Sequence, residues 1–387
     1  MKKIVSGFMA AVLAMACIVS CSKDTPKNSE CDITSAWVDG AQYEQYFYNK
    51  ADMRHDNIAS SDEEIVFWVK SLGALPQMPV SFSITEGSTI NPANGSLQDF
   101  SAGAVTYTVT AEDGNHSRQY KVVFKERQAI VDTMTLYSFE HAETLEKGAT
   151  YHVFYEINPY GQRENIWASG NAGFAMVHSD YTPEQYPTSQ TPNGYQGKGL
   201  CLTTRDAGYL ARLMHKPIAA GNLFIGSFDG SMVMSNPLRC TVFGIPVNRQ
   251  PVKVAGYYKY QPGAEFTNAN MDIVPGRTDE ANIYAVFFRN QNAAGESIHL
   301  YGDDVLTSPY IVTKAQVASL PATSEWTRFE MTFDEGSVDA SVLAAFGYSW
   351  TLVFSSSKGG DSFEGAIGST LYIDEVEVTY NTNGTAK

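Results

Sequence analysis

The fold of this chain is decided by Phe354–Val378, FSSSKGGDSFEGAIGSTLYIDEVEV. A polar, glycine-rich loop leads into a run from Leu371 to Tyr380 that is rich in β-branched and aromatic residues, which predicts a final β-strand. Ideal alternation divides this strand into two faces, one with Tyr372, Asp374, Val376 and Val378 and the other with Ile373, Glu375 and Glu377. The face with two valines is the expected core face, so Asp374 is predicted to be a carboxylate among apolar neighbours.

Runs of the same type recur along the whole chain. They predict an all-β protein, since Tyr and Phe are plentiful (22 and 20) and Gly and Pro punctuate the sequence throughout. Short helical turns are predicted only at Thr313–Leu320 and Val338–Phe346. The predicted strands are Glu64–Val69, Val80–Thr85, Ala104–Thr110, Gln119–Phe124, Thr133–Glu140, Thr150–Phe154, Gly199–Thr204, Asn222–Phe228, Val252–Tyr260, Ile283–Phe288, Trp326–Phe333, Ser349–Phe354 and Thr370–Tyr380.

The spacing of these runs predicts two β-sandwiches. Residues 31–127 are expected to form a small immunoglobulin-like sandwich, in which Asp113-Gly114 turns a hairpin. Residues 128–381 are expected to form a larger jelly-roll β-sandwich, and residues 382–387 a tail. The first module is interpreted as a spacer between an anchor and a working domain.

The start of the chain is predicted to be a targeting segment. Residues 1–20 combine a basic Met1-Lys2-Lys3 with a short apolar run, which is typical of a signal peptide. Ile18-Val19-Ser20-Cys21 matches a bacterial lipobox, so we expect lipidation at Cys21 and a flexible tether over residues 21–30. The alternative is an ordinary signal peptide with a chance cysteine. Ser22 after the cysteine favours an outer-membrane lipoprotein, with the cell surface preferred over the periplasmic face.

The charge of the chain restricts its partners. Net charge is −15, and without residues 1–20 the chain carries 25 basic and 42 acidic residues, or −17. Such a charge argues against nucleic acid and against anionic membrane surfaces, so contact with the membrane is expected through the lipid anchor only. We expect a monomer. Cys31, Cys201 and Cys240 remain outside the targeting segment, either as free thiols or with a Cys201–Cys240 disulfide.

Several separated motifs carry a resemblance to a known family. The pattern from Ser357 to Glu377, together with Gly256-Tyr257-Tyr258-Lys259-Tyr260 and Trp167–Gly173 (WASGNAG), resembles the putative carbohydrate metabolism domain family. Such domains occur on lipoproteins of Gram-negative glycan-degrading bacteria, and the resemblance covers roughly residues 130–380. It implies a jelly roll whose first and last strands pair, and a role in carbohydrate capture or utilisation.

Glu140 and Asp374 are the predicted metal ligands. Glu140 ends the first strand of the second module and Asp374 lies in the last, so pairing of these strands would bring the two carboxylates together. Carboxylate oxygens suit Ca²⁺, and the resemblance suggests a structural calcium here. The alternative for Asp374 is a strand-edge position where it accepts hydrogen bonds from backbone or from Lys or Arg.

An aromatic and polar set is predicted to bind sugars, because aromatic faces stack on the C–H faces of sugars and polar groups bind the hydroxyls. In GYYKY, only one of the two alternating faces can touch a ligand. The aromatic candidates are Tyr160, Trp167, Tyr195, Tyr257, Tyr258 and Tyr260. From this set and its polar neighbours, the predicted ligand residues are Trp167, Asn171, Tyr195, Lys198, Tyr258, Lys358 and Asp361. Trp167 could equally be a core residue.

Three function classes remain open. The main hypothesis is a non-catalytic glycan-binding lipoprotein of the cell envelope. The second is a glycoside hydrolase that uses Asp361 with another loop carboxylate from among Glu364, Asp303 and Asp304. The third is an adhesin or scaffold subunit that binds protein partners. No serine nucleophile elbow, P-loop, dinucleotide fingerprint or zinc-protease helix occurs in the sequence.

Overall fold

The computed structural model describes residues 27–381 except 49, 57, 59, 61, 131, 145–149, 160 and 234. Almost all regular structure in this part is β. Three helices of one to two turns occur, α1 (Asn171–Ala175), α2 (Tyr209–Leu213) and α3 (Ala340–Ala344). Single 3-10 turns lie at Glu44–Tyr46, Lys50–Met53, Leu72–Ala74, Pro183–Gln185, Gly230–Met232, Pro237–Arg239 and Gly360–Ser362.

The first module is an immunoglobulin-like sandwich of two four-stranded sheets. Its strands are β1 (Ile33–Val38), β2 (Arg54–Asp56), β3 (Glu64–Val69), β4 (Met78–Ile84), β5 (Thr89–Asn91), β6 (Leu97–Gln98), β7 (Val105–Thr110) and β8 (Ser117–Glu126). The sheet orders are β2-β1-β4-β6 and β3-β8-β7-β5. β7 and β8 form the predicted hairpin, and alternate residues such as Tyr107 and Val109 point into the core between the sheets.

The second module is a jelly-roll sandwich of a six-stranded and an eight-stranded sheet. Its longer strands are β9 (Met134–Tyr137), β10 (Ala142–Thr144), β11 (His152–Phe154), β15 (Thr188–Thr191), β16 (Gly199–Thr203), β19 (Asn222–Phe228), β20 (Thr241–Phe243), β21 (Ile245–Val247), β22 (Pro251–Gln261), β24 (Asn282–Arg289), β26 (Ile311–Gln316), β27 (Thr323–Thr332), β28 (Tyr348–Ser355) and β30 (Thr370–Tyr380). Two-residue strands are β12 (Glu156–Ile157), β13 (Arg163–Glu164), β14 (Trp167–Ala168), β17 (Arg205–Asp206), β18 (Ile218–Ala219), β23 (Phe266–Thr267), β25 (Leu300–Tyr301) and β29 (Gly365–Ala366).

The two sheets of this module enclose one core. The six-stranded sheet has the order β15-β16-β30-β22-β27, with β9 beside β30, so the first and last strands pair as predicted. The eight-stranded sheet has the order β25-β20-β19-β28-β24-β26, with β14 and β21 attached. Side chains such as Trp350, Phe287 and Ile373 fill the space between them. The helical turn predicted at Thr313–Leu320 is wrong, since β26 occupies the first half of that run as a strand and the second half is not helical.

A bulge in β30 overturns the predicted alternation of the last strand. Glu375 has a left-handed backbone conformation (φ 47°), and the pairing of β30 with β22 shifts register at this point. An extra residue in one strand of a pair reverses the facing of all residues beyond it. Ile373 and Val376 therefore share the core face, where ideal alternation separated them, and Tyr372 points outward. Asp374 is fully buried, but its carboxylate accepts hydrogen bonds from the amides of Gln196 and Glu375 instead of lying among apolar neighbours as predicted.

A buried carboxylate from outside the Phe354–Val378 stretch binds the loop in that stretch. Asp279 is 3% exposed, and its Oδ2 accepts hydrogen bonds from the hydroxyls of Ser357 (2.6 Å) and Ser369 (2.7 Å) and from the amide of Ala366 (2.8 Å). Its Oδ1 accepts from the amide of Glu280 at 2.9 Å. Ser357 and Ser369 are therefore structural residues, because their hydroxyls donate hydrogen bonds to a buried carboxylate.

An arginine lies between the two modules. Arg127, just after β8, forms a buried ion pair with Asp52 at 2.6 Å. Its guanidinium lies 5.3 Å from the ring centroid of Trp68 in the first module and 5.5 Å from that of Phe346 in the second. Tyr48 also contacts Phe346, with ring centroids 4.8 Å apart. These contacts place aromatic rings from both modules around a single charge.

Candidate functional site

Aromatic side chains gather on the solvent-facing side of the six-stranded sheet. Tyr195 and Tyr257 stack almost parallel with ring centroids 3.8 Å apart, and Trp326 stands nearly perpendicular to Tyr195 at 6.2 Å. The ammonium of Lys259 lies 4.8 Å from the centroid of the Trp326 ring. Tyr195 is 41% exposed, and the other three are half-buried. We call these four residues the aromatic platform.

The pleat of β22 decides which tyrosines reach the platform. Tyr257 and Lys259 point outward, whereas Tyr258 and Tyr260 are 4% and 2% exposed and lie in the core. The Tyr258 hydroxyl donates to the carbonyl of Pro321 at 3.3 Å. The predicted ligand role of Tyr258 is therefore wrong, because the opposite face of the GYYKY motif faces solvent.

The loop at residues 194–198 carries Tyr195 onto the platform. Two carboxylates hold this loop from below: Asp374 Oδ2 accepts from the amide of Gln196 at 2.9 Å, and Glu140 Oε1 accepts from the amide of Lys198 at 2.9 Å. The structure thus brings the predicted metal ligands Glu140 and Asp374 to one loop, beside the predicted ligand residues Tyr195 and Lys198. The ammonium of Lys198 is at the surface of the same loop.

Glu140 also acts electrostatically on the carboxyl groups of Asp374 and Glu375. Burial raises the pKa of Asp374 above its ordinary value, hydrogen bonds from the amides of residues 195, 196 and 375 oppose this, and the nearby Glu140 adds to the rise. Burial, followed by the charges of Asp374 and Glu140, also raises the pKa of Glu375. Neither Glu140 nor Asp374 forms an ion pair with a Lys or Arg of the described residues. The pair is therefore a concentration of negative charge without a protein cation.

The donor atoms at this loop fit a hard cation. A Cβ on Gly194 would lie 2.5 Å from the carbonyl oxygen of Lys198 and 2.6 Å from Asp374 Oδ2, so both oxygens pack closely against the Gly194 backbone. All these donors are oxygens, the ligands that Ca²⁺ prefers. Within the described ranges no three Asp, Glu, His or Cys side chains gather as a metal site, so a cation held by Glu140 and Asp374 would need backbone carbonyls as well.

Trp167 and Asn171 are structural residues. Trp167 is 5% exposed, packs against Phe139 and Tyr137 in the core, and its indole N–H donates to Glu156 Oε1 at 2.7 Å. Asn171 is fully buried, where its side chain bonds both the carbonyl (2.7 Å) and the amide (3.1 Å) of Thr188. Their predicted ligand roles are wrong, because the WASGNAG run enters the sandwich instead of remaining a surface loop.

Lys358 and Asp361 lie away from the platform. Lys358 Nζ is 3.5 Å from Glu280 Oε2, and the Asp361 carboxylate accepts from the Ser362 hydroxyl at 3.2 Å. Asp361 acts electrostatically on Tyr284 of β24, which belongs to the eight-stranded sheet. The structure therefore does not bring these two predicted ligand residues to the platform.

The other acids considered for catalysis have local structural partners. Glu364 pairs with Arg277 at 3.1 Å and Asp303 with Arg239 at 3.0 Å. Asp304 accepts from the amide of Tyr301 at 2.7 Å. Each of these three carboxylates is therefore held by an arginine or a backbone amide.

A different carboxylate pair escaped the sequence analysis. Glu156 of β12 and Glu164 of β13 are direct partners across an antiparallel pair. The pKa of Glu156 is raised to about 7, chiefly by burial; the hydrogen bond from Trp167 opposes this rise, and the charge of Glu164 adds to it. A carboxyl group that stays protonated near neutral pH, beside a second carboxylate, has the properties of a general acid. No sequence motif indicates this pair, because the two glutamates come from separate short strands.

The raised pKa of Glu156 predicts a pH-dependent stability. The folded chain keeps the Glu156 proton up to about pH 7, whereas an unfolded glutamate loses it near 4.5. The stabilisation is therefore complete below pH 4.5 and is lost as pH rises through 7. We expect Glu156→Gln, which stays neutral and can still accept from Trp167, to melt progressively higher than wild type as pH rises across this window. A melting-temperature difference that is constant from pH 4.5 to 7.5 would contradict the assignment.

Several predicted features fall outside this surface or outside the described residues. Cys31, Cys201 and Cys240 are free thiols, so the alternative of a Cys201–Cys240 disulfide is not realised. Cys21 and Tyr160 lie outside the described residues. The α-helices in the described ranges have five residues each, and none offers an apolar span of membrane length.

Two families match the chain. The putative carbohydrate metabolism domain matches residues 138–379, which includes the whole platform and the Glu140–Asp374 pair. The N-terminal domain of the SGBP family matches residues 48–123 in the first sandwich. No curated protein matches the sequence.

Two solved structures resemble this one closely. A putative glycoside hydrolase from Bacteroides thetaiotaomicron is 37% identical, with a TM-score of 0.77, over 93% of this chain and 99% of that one. A putative glycoside hydrolase from Bacteroides vulgatus is 41% identical, with a TM-score of 0.59, over 64% of this chain and 98% of that one. The first of these alignments extends through both sandwiches.

Proposed function

This chain belongs to the putative carbohydrate metabolism domain family, and on that premise we propose that it binds poly- or oligosaccharides through the aromatic platform of its jelly-roll domain. A carbohydrate-related role follows from the family itself. The exposed corner of Tyr195 and Trp326 carries the proposal, because an aromatic face and a perpendicular ring offer a sugar two stacking surfaces. Lys259 and Lys198 supply donors for sugar hydroxyls.

A glycan array tests this proposal. The lipid-free chain from Ser22 to Lys387 is applied to the array, and the polysaccharides that it retains are then incubated with it and assayed for new reducing ends. Retention of a defined glycan without product release supports a binding protein. Absence of retention on every glycan would overturn the proposal and favour an adhesin or scaffold that binds protein partners.

The proposed site of action is the cell envelope. The lipobox at Cys21 would anchor the chain in the outer membrane, with the immunoglobulin-like module as spacer and the platform toward the outside. The net charge of −17 of the chain without residues 1–20 suits a neutral glycan better than an anionic surface. Labelling with radioactive palmitate should therefore disappear in Cys21→Ala, and protease added to intact cells should degrade the wild-type protein.

Calcium binding at Glu140 and Asp374 is part of the proposal. A cation bound only in the folded state at 100 times its Kd would stabilise the chain by about 2.7 kcal/mol. We therefore expect EDTA to lower Tm by about 5–10 °C, and Ca²⁺ to restore it. Glu140→Gln should remove this response, whereas Glu377→Gln, an exposed carboxylate on the same strand as Asp374, should keep it. An EDTA response that is unchanged in Glu140→Gln would exclude this site.

A second candidate function is glycoside hydrolysis at Glu156 and Glu164. It is favoured by their direct pairing and by the pKa of about 7 of Glu156, and it assigns the acid to Glu156 and not to Asp361. The two solved relatives are both described as putative glycoside hydrolases. Product release in the array follow-up that is lost in Glu156→Gln, with Tm unchanged or raised, would establish this function. Release that persists in Glu156→Gln would exclude Glu156 as the acid.

A further inference from the structure

We infer that Glu140 and Asp374 are positioning residues for the aromatic platform, because they accept hydrogen bonds from the loop that carries Tyr195. This inference rests on the proposed glycan-binding function and goes beyond a stabilising role for the two carboxylates. It makes the pair a determinant of affinity although it lies beneath the surface that the sugar would touch.

Hydrogen bonds connect the backbone of the loop to both carboxylates. Asp374 binds the backbone amides of Tyr195 and Gln196, and Glu140 binds the amide of Lys198. Within the loop, the amide of Gly194 donates to the carbonyl of Gly197 at 2.9 Å. Charge-assisted hydrogen bonds to a carboxylate are the stronger class of hydrogen bond. Two carboxylates thus fix the backbone at and around the residue that forms the platform corner.

Close backbone approach shows that the loop is fitted to these carboxylates. A Cβ on Gly197 would lie 2.0 Å from Glu140 Oε1, and one on Gly194 would lie 2.6 Å from Asp374 Oδ2. Gly197 also has a left-handed backbone (φ 58°), which side chains rarely adopt. Any other residue at Gly197 would displace either the loop or Glu140.

Little else holds the loop in place. Residues 195–198 are all exposed, so few apolar contacts order this segment. Apart from the backbone, Tyr195 contacts Tyr257 and Trp326, which are themselves platform residues. Loss of the carboxylate bonds should therefore move Tyr195 relative to Trp326 while the sheet beneath stays folded.

A double-mutant cycle tests the coupling. Glu140→Gln is expected to weaken binding of the best array glycan about tenfold, and Gly197→Ala should have a similar effect with both carboxylates intact. In a Tyr195→Ala background, either change should weaken binding less than twofold further, because its effect passes through Tyr195. An equal loss in both backgrounds would show that the carboxylates act independently of Tyr195 and would overturn the inference. Glu377→Gln is the matched control and should leave affinity unchanged.

A second readout needs no glycan. The chain contains five tryptophans, so ¹⁹F NMR of 5-fluorotryptophan protein should show five resonances, and Trp326→Phe assigns the platform signal. Glu140→Gln should shift the Trp326 resonance in the same direction as Tyr195→Ala and leave the other four in place. An unmoved Trp326 resonance would overturn the inference even if the platform binds sugar, and a shift without any glycan binding would refute only the proposed function.

Discussion

Replacing Trp326 with alanine is expected to weaken glycan binding about 30-fold, equivalent to about 2 kcal/mol. The Trp326 ring forms one wall of the platform corner, with Tyr195 perpendicular to it and Lys259 over its face. Removal of the indole would delete one stacking surface. It would also remove the ring against which the Lys259 ammonium lies. The fold should persist, because Trp326 is half-buried on the outer face of β27, whereas Phe329 and Met331 supply the core contacts of that strand.

Isothermal titration of the best array glycan measures this effect, and urea unfolding checks that the variant is folded. Tyr209→Ala is the matched control, because Tyr209 is the most exposed of the described large apolar side chains (73%) and lies on α2, away from the platform. The control should bind as wild type. An equal loss in Trp326→Ala and Tyr209→Ala, or no loss in Trp326→Ala, would exclude the platform as the binding surface.

Asp279→Ala is expected to destabilise the jelly-roll domain by about 4 kcal/mol. The change leaves two buried hydroxyls, of Ser357 and Ser369, and two amides, of Ala366 and Glu280, without their acceptor. Each unsatisfied buried group costs about 1–3 kcal/mol, and removing one member of a buried network is among the most damaging single changes. Some of this cost is offset when water enters the space of the lost carboxylate.

Urea unfolding followed by circular dichroism measures the change in the free energy of unfolding. Asp361→Ala removes an exposed carboxylate from the loop that Asp279 binds, and it should change the stability by less than about 0.5 kcal/mol. A loss below 1 kcal/mol in Asp279→Ala would show that the serine hydroxyls find other partners and that Asp279 does not close the loop.

Local sequence pattern predicts the strands of this fold well. β3, β19 and β30 begin and end at the residues that alternation and β-branched content indicate. Pattern failed at β26, where Thr313–Leu320 was expected to be helical, because pairing with β24 overrides weak local preference. It also failed inside β30, because the bulge at Glu375 depends on the paired strand β22 and not on the residues of β30 alone.

The candidate site was predictable only in part, for the same physical reason. Tyr195, Lys198, Glu140 and Asp374 do meet at one loop, since pairing of the first and last strands brings their elements together. A ligand role for Trp326 was not predicted, because this residue lies in an ordinary strand pattern and its contacts come from other strands and loops.

The choice between Tyr257 and Tyr258 illustrates the limit most clearly. Alternation showed that one face of the GYYKY motif must be core, but it did not show which one. The sheet beneath decides this, because the valines and the isoleucine of β30 lie on the side of Tyr258. The predicted ligand role of Trp167 was wrong for a related reason, since its glycine-bearing run pairs with β19 and turns the indole inward.

The most direct test of the proposed function is a crystal structure with an oligosaccharide of the best array glycan. We predict a sugar ring packed in the corner between Tyr195 and Trp326, with a hydroxyl within hydrogen-bonding distance of Lys259 Nζ. A sugar bound between Glu156 and Glu164, with the platform left bare, would contradict the binding proposal and establish the hydrolase site as the functional centre.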